Sequence, residues 1–126
     1  MILVDTSIWI DHFRTGEPGL VTLLQNGDVL GHAWVTGELA MGTLTQRQEI
    51  VGLLADLPQA GSASDAEVMT LIETRRLFGL GIGYVDAHLL AATLLTEGAR
   101  LWTRDKQLAA AASDLGLAAR APTTPD

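Results

Sequence analysis

A chain of 126 residues, 48% hydrophobic and 18% charged, has enough apolar mass for one folded core and is neither fibrous nor disordered. It has no cysteine, so no disulfide framework is expected and a reducing compartment suits it. The formal net charge of −7 excludes a protein that coats nucleic acid through phosphate contacts alone, but not an enzyme whose acids are neutralised by a divalent metal.

The N-terminus has no basic leader, and its apolar run, Met1 to Val4, is too short for a signal peptide. No stretch approaches the roughly 18 to 20 apolar residues that span a bilayer, so a soluble, cytoplasmic protein with no membrane partner is expected. Ile2-Leu3-Val4 suits a central parallel strand buried on both faces, and it runs straight into Asp5.

A short helix is predicted from Ser7 to Phe13, capped by Thr6 or Ser7 and broken by Gly16. Pro18 opens a second helix through Gln25. Asn26-Gly27-Asp28 signals a turn before a second strand, Val29 to Trp34. Thr36 is the expected cap of a helix carrying Glu38 in its first turn and ending near Gly42. Thr45 opens the next helix, through Ala55, and a weak strand is expected around Gln59 to Ala63.

Ser64-Asp65-Ala66-Glu67 has the capping-box pattern and starts a helix reaching Phe78. Gly79-Leu80-Gly81-Ile82-Gly83 forces a loop; it follows a helix instead of a strand, so it is no dinucleotide-binding turn. Tyr84 to Glu97 is helical, Arg100 to Thr103 a short strand, and Asp105 opens the last helix, Lys106 to Leu115. The alternation predicts one α/β domain over residues 1–120, with helices on both sides of a central, mostly parallel sheet of four to five strands. Residues 121–126 are expected to be a flexible tail.

Four acids occupy similar settings. Asp5 and Asp105 follow strands, Glu38 lies in the helix after the second strand, and Asp86 begins the helix after the glycine loop. In an open parallel sheet such junctions gather at the carboxyl ends of the strands. Asp and Glu are also ordinary helix caps, which is the plainer account of any one of them. Asp5 and Asp86 differ, because Val4 and Val85 lead them toward the interior and no Lys or Arg lies within a few residues. An unpaired buried carboxylate costs several kcal/mol, which a bound cation offsets.

Clustered carboxylates suit Mg²⁺, or Mn²⁺ in its place, and a metal so held can promote hydrolysis of a phosphodiester by water. His12, His32 and His88 have neither metal-ligand nor triad spacing. Trp9, Trp34 and Trp102 could stack on bases, though burial is the commoner fate of such residues. Arg104, beside Asp105, could hold an RNA backbone.

Asp5-Thr6-Ser7-Ile8-Trp9-Ile10-Asp11, Gly37-Glu38-Leu39-Ala40, Tyr84-Val85-Asp86-Ala87-His88-Leu89-Leu90-Ala91 and Leu101-Trp102-Thr103-Arg104-Asp105 resemble the PIN-domain ribonucleases, most closely the VapC toxins of type II VapBC toxin–antitoxin pairs. The resemblance runs through nearly the whole chain in the family's order. It implies a PIN-like three-layer α/β/α fold, Mg²⁺-dependent endonucleolytic cleavage of RNA, inhibition by a VapB-like antitoxin, and a homodimer. It also implies that Asp5 and Asp86 are the main metal ligands, that Glu38 and Asp105 act directly or through metal-bound water, and that Ser7 and Thr103 orient the cluster.

Two other classes compete. A non-catalytic PIN-like interaction module would be free to lose the acids, and all four are present. A haloacid-dehalogenase-type phosphatase needs a second Asp two residues after the first, where this chain has Ser7.

Overall fold

In a computed structural model, which describes residues 1–120, the chain forms a mixed α/β structure around a parallel sheet. The elements in order are β1 (Ile2–Val4), α1 (Thr6–Thr15), α2 (Pro18–Gln25), β2 (Val29–Leu30), α3 (Ala33–Ala40), α4 (Arg47–Asp56), α5 (Asp65–Thr74), α6 (Tyr84–Leu95), β3 (Arg100–Trp102) and α7 (Lys106–Asp114). The tail expected at 121–126 lies outside the described residues.

The strand order is β2-β1-β3, all parallel. The central strand is thus covered along both edges, and Leu3 and Val4 have no exposed surface. The chain leaves β1 for β2 on one side and later returns to β3 on the other. The strand order therefore reverses at the carboxyl end of β1, the position where open parallel sheets bind ligands. Leu3 pairs with Leu30 and Leu101, and Val4 with Trp102, so the residues after Val4 and after Trp102 emerge side by side.

Helix α6 carries an unbroken buried run from Ala87 to Thr93. A helix apolar on every side belongs in the interior. Its one buried hydroxyl there, on Thr93, donates to the Leu89 carbonyl at 2.7 Å and so needs no further partner. Asp86, at the start of this helix, is carried into the molecule with it. The loop before it turns through Gly79 and Gly81, both with φ above +70°, a region that favours glycine.

The sheet has three strands among the described residues, not the expected four to five. What was read as a strand over Gln59 to Ala63 is a single parallel bridge from Gln59 to Gly31, and a second isolated bridge joins Leu101 to Ala118. Gln-Ala-Gly-Ser-Ala has no β-branched or aromatic side chain to pack on a pleated surface.

The strand read over Val29 to Trp34 stops at Leu30, because the chain enters α3 three residues later, at Ala33. His32, not Thr36, caps that helix, its Nδ1 accepting the Trp34 N–H at 3.0 Å. An imidazole serves as acceptor where a hydroxyl or carboxylate is the usual choice. Helix α5 ends at Thr74, before the expected Phe78, and Arg76 beyond it takes a left-handed φ of 54°. Its start has the expected capping box, with Ser64 and Glu67 bonding each other's backbone N–H at 3.1 and 2.9 Å.

Gly31 is the tightest backbone passage. A Cβ there would meet Gln59 Nε2 at 2.6 Å and the Leu54 carbonyl oxygen at 3.1 Å. Gln59 cannot swing aside freely, since its amide donates to the Leu54 and Leu57 carbonyls at 3.3 and 2.8 Å. Gly31→Ala is expected to destabilise the fold by about 1–3 kcal/mol, read as a lowered denaturant midpoint with unchanged slope.

Candidate active site

The register of β1 against β3 sets the geometry. Asp5 N–H donates to the Trp102 carbonyl at 2.9 Å, extending the ladder by one residue and bringing Asp5 beside Thr103. Thr103 Oγ1 then donates to Asp5 Oδ2 at 2.7 Å, and Ser7 Oγ donates to the same oxygen at 2.8 Å. Each hydroxyl is itself held: Ser7 Oγ accepts the Arg104 N–H and Thr103 Oγ1 the Asp105 N–H, both at 3.1 Å.

Asp5 is 7% exposed. Both hydroxyls collect on Oδ2, while Oδ1 takes no hydrogen bond among the described residues and still reaches solvent. No cation pairs with Asp5 among the described residues. The result is a rigidly aimed carboxylate with one oxygen left open.

Asp86 is half-buried at the first turn of α6, and its Oδ2 accepts the Gly83 N–H at 3.0 Å. Burial holds its carboxyl above the usual range. The Gly83 hydrogen bond opposes this, and the nearby charges of Asp5 and Asp105 add to the upward shift. Three of the sequence-selected acids therefore sense one another at the carboxyl ends of β1 and β3.

Asp105 is exposed and caps α7, its Oδ1 accepting the Leu108 N–H at 2.9 Å. Glu38 is exposed, and its Oε1 accepts a hydrogen bond from Thr6 Oγ1 at 2.9 Å, next to Asp5 in the chain. Because α3 begins at Ala33, Glu38 lies in its second turn, not its first, and capping does not account for it. The guanidinium of Arg104, read as a possible contact to an RNA backbone, is paired with Asp11 at 2.5 Å and with Glu17.

Among the described residues no three acids or imidazoles stand close enough to form a ready-made cage. Mg²⁺ does not require one, since it keeps several waters and takes one or two carboxylates. The donors are all hard oxygens, one carboxylate has a free solvent-facing atom, and the other is buried under like charge. This set fits a hydrated divalent cation held by Asp5 and Asp86.

Sequence reasoning overlooked the partners of His88. Its Nε2 lies 3.0 Å from Asp65 Oδ1, which also accepts the Tyr84 hydroxyl at 2.8 Å. The Tyr84 hydrogen bond, more than that from His88, draws the Asp65 carboxyl below its usual range, and the same bond raises the Tyr84 phenol. His32 is buried with Nε2 unpartnered among the described residues, and burial, then the charge of His88, holds it below the usual imidazole range. The i, i+4 spacing of Tyr84 and His88 was the available signal.

The raised Asp86 carboxyl has a consequence for stability. Between the ordinary Asp range and its raised value, the folded chain keeps a proton that the unfolded chain has lost, so stability falls as pH rises through that window. Without divalent metal at neutral pH, Asp86→Asn is expected to melt at the same temperature as wild type or higher. The difference should close at a pH below the ordinary Asp range. Thermal melts in chelator check this, and a large drop at neutral pH would assign Asp86 a structural role.

No family model matches the sequence. Two curated relatives do: Ribonuclease VapC32 from the CDC 1551 / Oshkosh strain of Mycobacterium tuberculosis and Ribonuclease VapC32 from its ATCC 25618 / H37Rv strain. Each is 48% identical over 118 residues, covering 94% of this chain and 95% of the relative. The chain belongs to the VapC ribonuclease family.

Proposed function

We propose that this protein is a metal-dependent endoribonuclease, the toxin of a type II toxin–antitoxin pair, acting in the cytoplasm. The observation that carries the reading is the meeting of Asp5, Asp86 and Asp105 at the switch point of the sheet, in a chain of this family. The fold it implies is a PIN-like three-layer domain over residues 1–120. No helix among the described residues is long and apolar enough to cross a membrane.

Asp5 and Asp86 would hold Mg²⁺, or Mn²⁺ in its place, which would supply Lewis-acid chemistry for hydrolysis of a phosphodiester by water. Ser7 and Thr103 keep Asp5 Oδ1 pointed outward by holding Oδ2. Asp105 adds negative charge that favours the cation, and Glu38, steadied by Thr6, orients water at the rim. Water is the nucleophile; no side chain forms a covalent intermediate. Ser7 supplies a hydroxyl to Asp5 at the position where a haloacid-dehalogenase phosphatase would need its second acid.

The antitoxin reading is supported by a long apolar depression. One part is lined by Ile10, Phe13, Leu39 and Ile50, with Arg14 and Glu38 at its edge. The adjoining part shares Phe13 and Ile50 and adds Trp9 and Leu53. An amphipathic segment of a VapB-like antitoxin fits such a surface. The active species is proposed to be a homodimer.

The reading is tested with purified protein and total cellular RNA. Cleavage should need Mg²⁺, stop with chelator and return on re-addition. Asp5→Ala and Asp86→Asn should each lower it by at least about 100-fold, the scale of removing a metal-site group, with the fold retained. Undiminished cleavage in either variant would falsify the site assignment. Leu53, 61% exposed in the depression, gives a separate test. Leu53→Asp should weaken antitoxin binding by about ten-fold or more in calorimetry while leaving RNA cleavage unchanged.

A further inference from the structure

Trp34 stands apart from the other tryptophans. Trp9 and Trp102 are buried, whereas Trp34 keeps 41% of its surface in solvent. A large aromatic ring left in water forgoes the gain of burial, yet this ring is held firmly. It stacks on His88, with ring centroids 4.7 Å apart and planes 20° from parallel.

His88 is buried and anchored through Nε2 to Asp65, and the Tyr84 ring packs edge-on against it at 4.8 Å. The Tyr84 hydroxyl fixes Asp65 in turn. Beneath the indole there is thus a stack assembled from α3, α5 and α6. One ring face is covered by His88, and 41% of the residue's surface stays in solvent.

The location matters as much as the support. Trp34 lies one helical turn before Glu38 on α3, and His88 lies two residues after Asp86 on α6. Trp34 and Glu38 border the same open depression of about 420 Å³, with Ala33, Gly37 and Met41 completing its lining. That volume falls within the range of small-ligand clefts.

The occupant is indicated by charge. The chain carries a net −7, and of the two cations flanking Asp105 in sequence, Arg104 and Lys106, the first is held by Asp11 and Glu17, while no cation among the described residues lines this depression. A net charge of this sign weakens phosphate contacts, whereas stacking of a base on an aromatic ring does not depend on charge. A protein partner filling the depression would bury Glu38 against a lining that contains no cation.

We propose that Trp34 is a base-stacking residue that receives an unpaired nucleobase beside the phosphate at the acid cluster. This rests on the ribonuclease reading above. A base already unpaired can lie on the ring without the cost of leaving a helix, whereas a duplex must first open.

The test compares wild type, Trp34→Ala and Trp34→Phe on a single-stranded oligoribonucleotide that wild type cleaves, and on copies carrying one abasic residue at each position around the cut. Trp34→Ala should raise KM by about ten-fold, within the range for loss of one stacked base, with kcat within about two-fold of wild type. Trp34→Phe should restore most of the loss. One abasic position should make wild type and Trp34→Ala equal. Thermal melts establish that the variants fold.

An unchanged KM overturns the proposal, as does an equal loss on intact RNA and on every abasic copy. A loss that follows dissociation of a dimer in sedimentation also overturns it, assigning Trp34 to contact between copies. If wild type cleaves no RNA, the ribonuclease reading fails on its own terms, and stacking is then read by fluorescence. Quenching by the single strand that disappears in Trp34→Phe sustains the stacking role, and its absence overturns that too.

Discussion

The site depends on one interaction: a nearly buried carboxylate, Asp5, satisfied on one oxygen by two hydroxyls from opposite ends of the chain. Burying a carboxylate without a counter-charge is costly, and hydroxyl donors recover only part of that cost. They also fix direction. With Ser7 and Thr103 both on Oδ2, rotation of the carboxylate would break two hydrogen bonds, so Oδ1 stays turned toward solvent. The hydroxyls are in turn tied to the backbone at Arg104 and Asp105, which makes the strand ends and helix starts one rigid unit.

Asp86 completes that unit electrostatically. It enters with the most apolar helix of the fold, is half-buried there, and meets the fields of Asp5 and Asp105. Packing α6 into the core carries the acid inward, so folding energy from Leu89, Leu90 and their neighbours sustains an arrangement that the charges alone oppose. Repulsion between neighbouring carboxylates of this kind is lessened wherever a positive charge approaches them.

Much of this was legible in the sequence. Ile2-Leu3-Val4 announced a two-sided strand, and the acids after Val4 and Trp102 stood at strand ends because the α/β alternation put them there. Other features were hidden for physical reasons. Glu38 was misplaced by a turn because a histidine did the capping, which no preference for Ser, Thr, Asp or Asn would reveal. The fourth strand shrank to a bridge because pairing needs side chains that pack, and residues 59–63 have few. Arg104 looked free beside Asp105, yet its partners Asp11 and Glu17 lie in the first turns of chain, a distance that periodicity cannot cross. Trp34 read as a core residue like Trp9 and Trp102, since composition does not tell which face of a helix is left open.

The hydrogen bond from Thr103 to Asp5 spans 98 residues, almost the whole length of the chain. While the protein is being synthesised, β1 emerges first and must wait for β3 before its acid is aimed. Parallel pairing across so long a separation is slow to form. A nascent chain therefore carries Asp5 for most of its synthesis without the partner that orients it. The aim of Asp5 is therefore completed only after synthesis has passed Thr103, about four-fifths of the way along the chain.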